Sequence, residues 1–172
     1  MSEYLDSNTI ASKVTIRLAT IKDETALTTW ANKPHIREAV GYDWDWSSEL
    51  TQRRFWVQQY ITCYNEKPIG FFQVINTGHD PDNYWKSLAD IKTAAIDIWI
   101  GEERFLGKGI GTFMMQYAIE RCFADPEIVR ILLDPLKTNI RARRFYERIG
   151  FEFYSEMKLD GEVCSIYQYL RS

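Results

Sequence analysis

The chain has 172 residues, the length of one domain that buries a core without help from a metal or a disulfide framework. Its formal net charge of -3 and sequence pI near 5.5 lack the basic excess that is typical of nucleic-acid binders. No stretch approaches the ~20 apolar residues of a membrane span, and the N-terminus has no secretory signal pattern. The sequence therefore predicts a cytoplasmic protein that binds neither nucleic acid nor membrane.

The cysteines and histidines give no sign of a metal centre. Cys63, Cys122 and Cys164 are far apart in the chain, and so are His35 and His79. This spacing is typical neither of a disulfide framework nor of zinc ligands. Since free cysteine is among the most buried residue types, we expect three buried thiols and no metal site.

Hydrophobic periodicity predicts one mixed α/β domain over residues 13–172, after a flexible N-terminus at residues 1–12. In the first half we expect a strand at 14–19, a helix at 20–34 ended by Pro34, an aromatic and acidic loop at 35–46, a helix at 47–61 capped by Ser47 or Ser48, and strands at 61–65 and 69–75. In the second half we expect a strand at 93–101, a helix from Ile110 ended by Asp125 and Pro126, a strand at 129–133, a helix at 138–150, and a hairpin of 151–159 and 162–170 that turns at Asp160 and Gly161.

The connection at residues 76–92 is polar and contains glycine and proline. Connections of this length are uncommon unless they are functional or disordered. We interpret it as a lid over a small molecule.

Glycines alternate at Gly107, Gly109 and Gly111, between a predicted strand and a predicted helix. Such glycines let backbone amides turn inward into a concave nest, and the helix N-terminus that follows adds partial positive charge. Arg104 and Lys108 supplement this field. The stretch therefore predicts a phosphate site, although its spacing is that of neither a P-loop nor a dinucleotide fingerprint.

Two motifs resemble a known family. Arg104-x-x-Gly107-x-Gly109 is similar to the Q/R-x-x-G-x-G/A signature of the GCN5-related N-acetyltransferase (GNAT) superfamily. Further along, the chain resembles that superfamily's N-x-x-A-x-x-x-Y-E-x-x-G-F segment through Asn139, Ala142, Tyr146, Glu147, Gly150 and Phe151.

Within the superfamily, the chain is most similar to bacterial aminoglycoside 6′-N-acetyltransferases. The likeness begins near Val14 and includes the "LGKGIGT" stretch, an "ID" dipeptide at 96–97 and a D-x-Y/W-W pattern at 82–85. These features lie at matching distances from one another, so the resemblance extends over most of the chain.

The resemblance implies a single α/β (α+β) domain with splayed central strands. Its mixed, mostly antiparallel sheet would have about seven strands and about four flanking helices. The resemblance also implies acetyl-CoA as cofactor, with the pyrophosphate on the glycine loop and pantetheine between the splayed strands. The cofactor-binding residues expected are Ile98, Trp99, Ile100, Arg104, Phe105, Leu106, Gly107, Lys108, Gly109, Ile110, Gly111, Thr112, Asn139, Ala142 and Tyr146.

Acetyl transfer to an amine needs a base for the ammonium and an acid for the departing thiolate. Asp97 stands among apolar residues of a central strand, where a charge is costly unless it has a role, so we expect it to be the base. Tyr146 resembles the tyrosine that protonates the coenzyme A thiolate. Asn139 would contact the cofactor arm or cap its helix, with Thr138 as the competing cap. We expect direct attack in a ternary complex.

The acceptor side combines acidic and aromatic residues, which suit a polycationic aminosugar. The acids that could form an acceptor cleft are Asp43, Asp45, Asp80, Asp82, Asp97 and Asp134. The aromatic rings that could contact the sugar there are Trp44, Trp46, Tyr84 and Trp85. The substrate-binding residues predicted from these sets are Asp82, Tyr84, Trp85, Asp97, Asp134 and Trp44.

The chain departs from the pattern of the related antibiotic-modifying enzymes at one place that bears on the acceptor. These enzymes carry paired tryptophans after "HI", where this chain reads "REAVGY" at residues 37–42.

The identity of the acceptor therefore stays open. An aminoglycoside is the leading acceptor, and a siderophore precursor, a polyamine or a protein N-terminus is the alternative. A catalytically silent acyl-CoA-binding module is a second alternative, which the presence of both Asp97 and Tyr146 disfavours. Monomer and homodimer both fit the sequence.

Overall fold

The structure is a computed structural model that describes residues 5–40 and 44–172. Over these residues, seven strands form one sheet in the order β1-β2-β3-β4-β5-β7-β6. The strands are β1 (Val14–Leu18), β2 (Val57–Tyr64), β3 (Lys67–Asn76), β4 (Thr93–Ile100), β5 (Arg130–Leu133), β6 (Glu152–Leu159) and β7 (Glu162–Leu170). The α-helices are α1 (Ser7–Lys13), α2 (Glu24–Ala31), α3 (Pro34–Val40), α4 (Trp46–Thr51), α5 (Ile110–Phe123) and α6 (Ile140–Arg148).

The sheet is mixed and mostly antiparallel, which confirms the predicted fold class. β1 pairs with β2, β5 with β7 and β6 with β7 in antiparallel fashion, whereas β4 and β5 are parallel. The pairs described between β4 and β5 begin at Thr93↔Arg130 and end at Ala95↔Leu132, and β4 continues through residues 96–100. The predicted splay of the central strands stays a prediction.

The chain divides into two compact units. The first contains residues up to 73 together with residues 98–118. Its core is rich in aromatic rings, and Trp99 packs against Phe71 at 4.7 Å and Trp46 at 5.8 Å between ring centroids. The buried residues of this cluster are Leu27, Trp30, Ile36, Trp46, Ile61, Cys63, Phe71 and Trp99. Burial of these large side chains supplies the main driving force for folding this unit.

The second unit contains residues 74–97 and 119–172. Its buried cluster consists of Trp85, Ala95, Leu132, Leu159, Cys164 and Ile166. Strands β6 and β7 form the predicted hairpin. Asp160 (φ 46°) and Gly161 (φ 86°) form its turn, with the two positive φ angles of a type I′ connection.

The N-terminal segment differs from the prediction of a loose stretch at 1–12. Residues 7–13 form α1, and the Asp6 side chain caps it by accepting a hydrogen bond from the Thr9 amide at 2.7 Å. Ile10 is buried, so one apolar contact anchors an otherwise polar helix. The predicted start of the domain at residue 13 stays a prediction.

The predicted helix at 47–61 is wrong in its second half. α4 ends at Thr51 and Val57 begins β2, which pairs with β1 from Tyr60 onward, so strand pairing outweighs the local helical pattern. Asp45, rather than Ser47 or Ser48, is the cap, and its carboxylate accepts from the Ser48 amide at 3.1 Å.

Residues 34–40, predicted to belong to a helix end and a loop, form α3 instead. Its first residue is Pro34, since proline is favoured at the first helical position. Six α-helices therefore occur in the described residues, against about four predicted. Asp43 lies outside the described residues.

The helix predicted at 20–34 is α2 at Glu24–Ala31, and the strand predicted at 61–65 begins four residues earlier, at Val57. The other predicted elements are confirmed to within a residue or two. Cys63, Cys122 and Cys164 are buried free thiols, as expected. None of the described helices has both the length and the apolar character needed to cross a membrane.

Candidate active site

The glycine loop lies in the first unit, between β4 and α5. Gly107 (φ 71°) and Gly109 (φ 87°) both adopt the left-handed conformation that side chains disfavour. The Gly109 carbonyl accepts from the Phe113 amide at 3.2 Å, so the helical hydrogen bonds of α5 start there. Because the first N–H groups of a helix have no intrahelical acceptor, this loop has the donors of an anion site.

Side chains around the loop have two distinct roles. Arg104 is exposed, and its guanidinium carbon lies 4.9 Å from the centroid of the Phe105 ring. Phe105 is buried and packs on Tyr64 at 4.9 Å, and Ile110 is fully buried. Phe105 and Ile110, both predicted to bind cofactor, therefore offer only their backbone to a ligand.

The end of β4 presents alternating side chains. Trp99 belongs to the buried core of the first unit, whereas Ile98 and Ile100 are half-buried. His35 Nε2 lies 3.0 Å from the Ile100 carbonyl oxygen, so it donates to that oxygen. Lys33 donates to the neighbouring Gly101 carbonyl at 3.0 Å, and two side chains therefore hold the strand where it enters the loop.

Three predicted site residues come together in the second unit: Asp97, Asp134 and Tyr146. Burial raises the pKa of Tyr146 above its usual range, and the negative charges of Asp134 and then Asp97 raise it further. The tyrosine is therefore a neutral phenol at physiological pH. Asp97 itself is half-buried on β4. A neutral proton donor beside two carboxylates is an arrangement that acid–base chemistry requires.

Tyr84 and Asp134 form a close side-chain contact in the second unit. The Tyr84 hydroxyl donates to Asp134 Oδ2 at 2.6 Å. Burial raises the pKa of Asp134, and the Tyr84 hydrogen bond partly opposes this effect. The Tyr84 amide in turn donates to Asp80 Oδ2 at 3.1 Å, which fixes the turn that carries the tyrosine.

Other predicted acceptor residues occupy different environments. Trp85, predicted to bind substrate, is 3% exposed and belongs to the core of the second unit, so its ring is packed in the interior and is not presented to a substrate. Trp46 is also buried, in parallel contact with the half-buried Trp44 at 5.0 Å. Trp44 lines a small hollow of the first unit with Ile36, Arg37 and Val40. Asp82 is exposed.

The sequence left two roles open for Asn139, a contact to the cofactor arm and a helix cap, and the structure shows it as the cap. Its side chain accepts from the Ala142 amide at 3.1 Å, and α6 starts at the next residue. Thr138 is not the cap.

Sequence reasoning missed the buried Tyr167, whose hydroxyl donates to Glu147 Oε1 at 2.6 Å and accepts from Arg143 Nε at 3.3 Å. These bonds attach α6, and with it Tyr146, to β7. No motif would have found this contact, because it joins residues that are 20 and 24 positions apart in the sequence.

The family follows from comparison with known proteins. The sequence model described as "Acetyltransferase (GNAT) domain" matches residues 20–159. The chain therefore belongs to the GNAT acetyltransferase family, whose acetyl donor is acetyl-CoA.

Individual relatives carry more specific names. The chain is 35% identical over 150 residues to aminoglycoside N(6′)-acetyltransferase type 1 of Klebsiella pneumoniae, covering 81% of this chain and 74% of the relative. It is 39% identical over 69 residues to a kanamycin resistance protein of Rhizobium radiobacter, covering 40% and 64%. Among solved structures, aminoglycoside acetyltransferase AAC(6′)-Ib in complex with coenzyme A and kanamycin superposes with a TM-score of 0.81 at 32% identity, covering 92% of this chain and 95% of that one.

Proposed function

We propose that this chain transfers the acetyl group of acetyl-CoA to the 6′-amine of aminoglycoside antibiotics, by direct attack in a ternary complex. The observation that carries the proposal is the cluster of Asp97, Asp134 and Tyr146, in which the negative charges of two carboxylates raise the pKa of one neutral phenol. The 35% identity to an aminoglycoside N(6′)-acetyltransferase supports the choice of acceptor.

The glycine loop has donors that fit a diphosphate. Left-handed Gly107 and Gly109 and the first amides of α5 supply N–H groups, and the exposed Arg104 supplies a full positive charge. The residues proposed to hold the diphosphate are those at 104–112, and the backbone of Ile98 and Ile100 would hold the arm that follows. Acetyl-CoA, when bound, supplies a thioester carbonyl carbon for attack.

Asp97 is the proposed base. It takes a proton from the acceptor ammonium, because only the neutral amine has a lone pair for attack. A backbone amide of β4 at Ile98 or Ile100 is proposed to donate to the developing oxyanion.

Tyr146 is the proposed acid, and its hydroxyl supplies a proton to the departing sulfur. Its raised pKa makes it a weak acid while Asp97 is ionised. Protonation of Asp97 removes one of the charges that raise this pKa. The first proton transfer therefore makes the second easier.

Asp134 and Tyr84 are proposed to bind a second ammonium of the acceptor. Tyr84 occupies Oδ2 of the carboxylate, which directs Oδ1 to a cationic ligand. A bound cation would favour ionisation of Asp134 and offset the effect of its burial. Asp82 and Trp44 are proposed as outer contacts, and Trp85 is excluded from this role by its burial.

The acceptor is tested by following thiol release from acetyl-CoA with neomycin and with paromomycin, which differ in carrying an amine or a hydroxyl at the 6′ position. We expect turnover with neomycin and kanamycin and none with paromomycin. Spermidine and lysine test the alternative acceptors in the same assay. Turnover only with these amines would reject the antibiotic assignment and leave the acetyltransferase activity in place.

The proposed enzyme is cytoplasmic, where acetyl-CoA is available, and acts as a monomer or homodimer.

A further inference from the structure

The N-terminal segment is attached to the glycine loop within the first unit. The Leu5 amide donates to the Lys108 carbonyl at 3.2 Å, between the two left-handed glycines. Leu5 lies outside the part of the chain that the family model matches, residues 20–159, whereas Lys108 lies inside it.

A second attachment holds the other end of α1. Lys13 lies over the Tyr64 ring at 5.9 Å, and its carbonyl accepts from the Asn65 amide at 2.9 Å. Tyr64 packs on Phe105, the buried residue just before the loop, at 4.9 Å. The helix is therefore fixed at both ends beside the same loop, and Leu5 is held in place by more than its own hydrogen bond.

The contact with Lys108 orients an amide that the loop needs. A peptide group is planar and trans, so its C=O and N–H point in opposite directions. Because Leu5 holds the Lys108 carbonyl, it also fixes the direction of the Gly109 N–H, which belongs to the same peptide group.

Glycine makes this constraint necessary. Gly109 accepts positive and negative φ with similar ease, so rotation of the Lys108–Gly109 peptide costs little on its own. An amide that points inward only part of the time binds an anion less tightly, in proportion to that fraction. A fixed carbonyl removes the competing orientation.

We propose that Leu5 is a positioning residue for the cofactor, whose backbone N–H holds the Gly109 amide toward the diphosphate of acetyl-CoA. This inference rests on the proposed cofactor role of the glycine loop. On this proposal, residues 5–13 increase the affinity for acetyl-CoA and take no part in the acetyl-transfer step.

The test removes one N–H group. Leucic acid at position 5, introduced by nonsense suppression, replaces the amide nitrogen with an ester oxygen and keeps the side chain. Leu5→Ala is the matched control, because it keeps the N–H and removes the side chain. Leu5→Pro removes the N–H by ordinary mutagenesis, and Ser7→Pro controls for proline because proline is tolerated at the first helical position.

The measurements are the dissociation constant for coenzyme A by calorimetry and KM and kcat with acetyl-CoA and with acetyl-pantetheine, which lacks the diphosphate. We expect the ester and Leu5→Pro to raise the coenzyme A dissociation constant and the acetyl-CoA KM about tenfold, which corresponds to a Gly109 amide that points inward about one tenth of the time. Both kcat and the acetyl-pantetheine KM should stay unchanged, and Leu5→Ala and Ser7→Pro should resemble the unaltered protein.

Unchanged coenzyme A binding by the ester protein would overturn the proposal. Equal losses with acetyl-CoA and acetyl-pantetheine would also overturn it, because they would indicate a general structural effect. Coenzyme A binding is measured without an acceptor, so an error in the antibiotic assignment leaves this result intact.

Discussion

The glycine loop and the carboxylate cluster perform their tasks with different parts of the chain. The loop uses backbone N–H groups, which cannot ionise and whose direction depends on φ and on contacts such as that of Leu5. The cluster of Asp97, Asp134 and Tyr146 uses side chains whose charge depends on burial and on one another. We expect donor binding to vary little with pH and acceptor chemistry to vary strongly.

The largest effect should come from the base. Asp97→Asn should lower kcat/KM for kanamycin about a hundredfold or more, because the amide cannot take a proton from the ammonium. Coenzyme A affinity should stay within twofold of the original, or about 0.4 kcal/mol. Thiol release and calorimetry measure the two quantities. Glu120→Gln, an exposed carboxylate of α5, is the control. A loss confined to coenzyme A binding would remove Asp97 from the acid–base role.

The next largest effect should be on coenzyme A affinity, and it should distinguish the glycine loop from the β6–β7 turn. Gly107→Ala and Gly161→Ala both place a side chain at positive φ with no neighbour to clash, so each should cost about 1–2 kcal/mol of unfolding free energy. Only Gly107→Ala should also weaken coenzyme A binding, by about tenfold. Urea unfolding and calorimetry distinguish the effects. Equal coenzyme A affinity in the two variants would count against the loop as the diphosphate site.

A smaller effect tests the hydrogen bond to Asp134. Tyr84→Phe should raise the kanamycin KM about fivefold and leave the acetyl-CoA KM unchanged, since only the acceptor carboxylate loses a partner. Loss of this bond raises the pKa of Asp134 further, so the pH at which kanamycin binding becomes strong should move upward. Tyr154→Phe, at an exposed ring, is the control. An unchanged pH profile would show that Tyr84 does not tune this carboxylate.

The smallest effect concerns stability. Because the folded pKa of Asp134 is raised above its ordinary value of 3.8, folding favours its protonated form and loses stability as pH rises through the folded pKa. Asp134→Asn should therefore raise Tm at pH 7, with each 1 kcal/mol gained adding about 2–4 °C. The gain should vanish below the ordinary pKa, where both states are protonated. A thermal melt at pH 7 that shows lower stability in this variant would contradict the assignment.

The sequence by itself determined the features that depend on local rules. The glycine spacing indicated a loop between a strand and a helix, where Gly107 and Gly109 are left-handed, Asp160 and Gly161 indicated a hairpin turn, and the two motifs indicated the family. These features were readable because backbone conformation and motif spacing depend on neighbours in the chain. The strand residues at 57–61 were not readable in this way, since strand pairing, with β1 from Tyr60 onward, overrode their helical pattern.

Only the tertiary structure decided which side chains are available for chemistry. Trp85 and Tyr84 are adjacent in sequence, yet one ring is buried in the core and the other hydroxyl holds Asp134. The charge state of Asp134 and Tyr146 and the contact of Leu5 with Lys108 likewise depend on residues far away along the chain. Burial and long-range hydrogen bonds are properties of the packed chain, so no local pattern contains them.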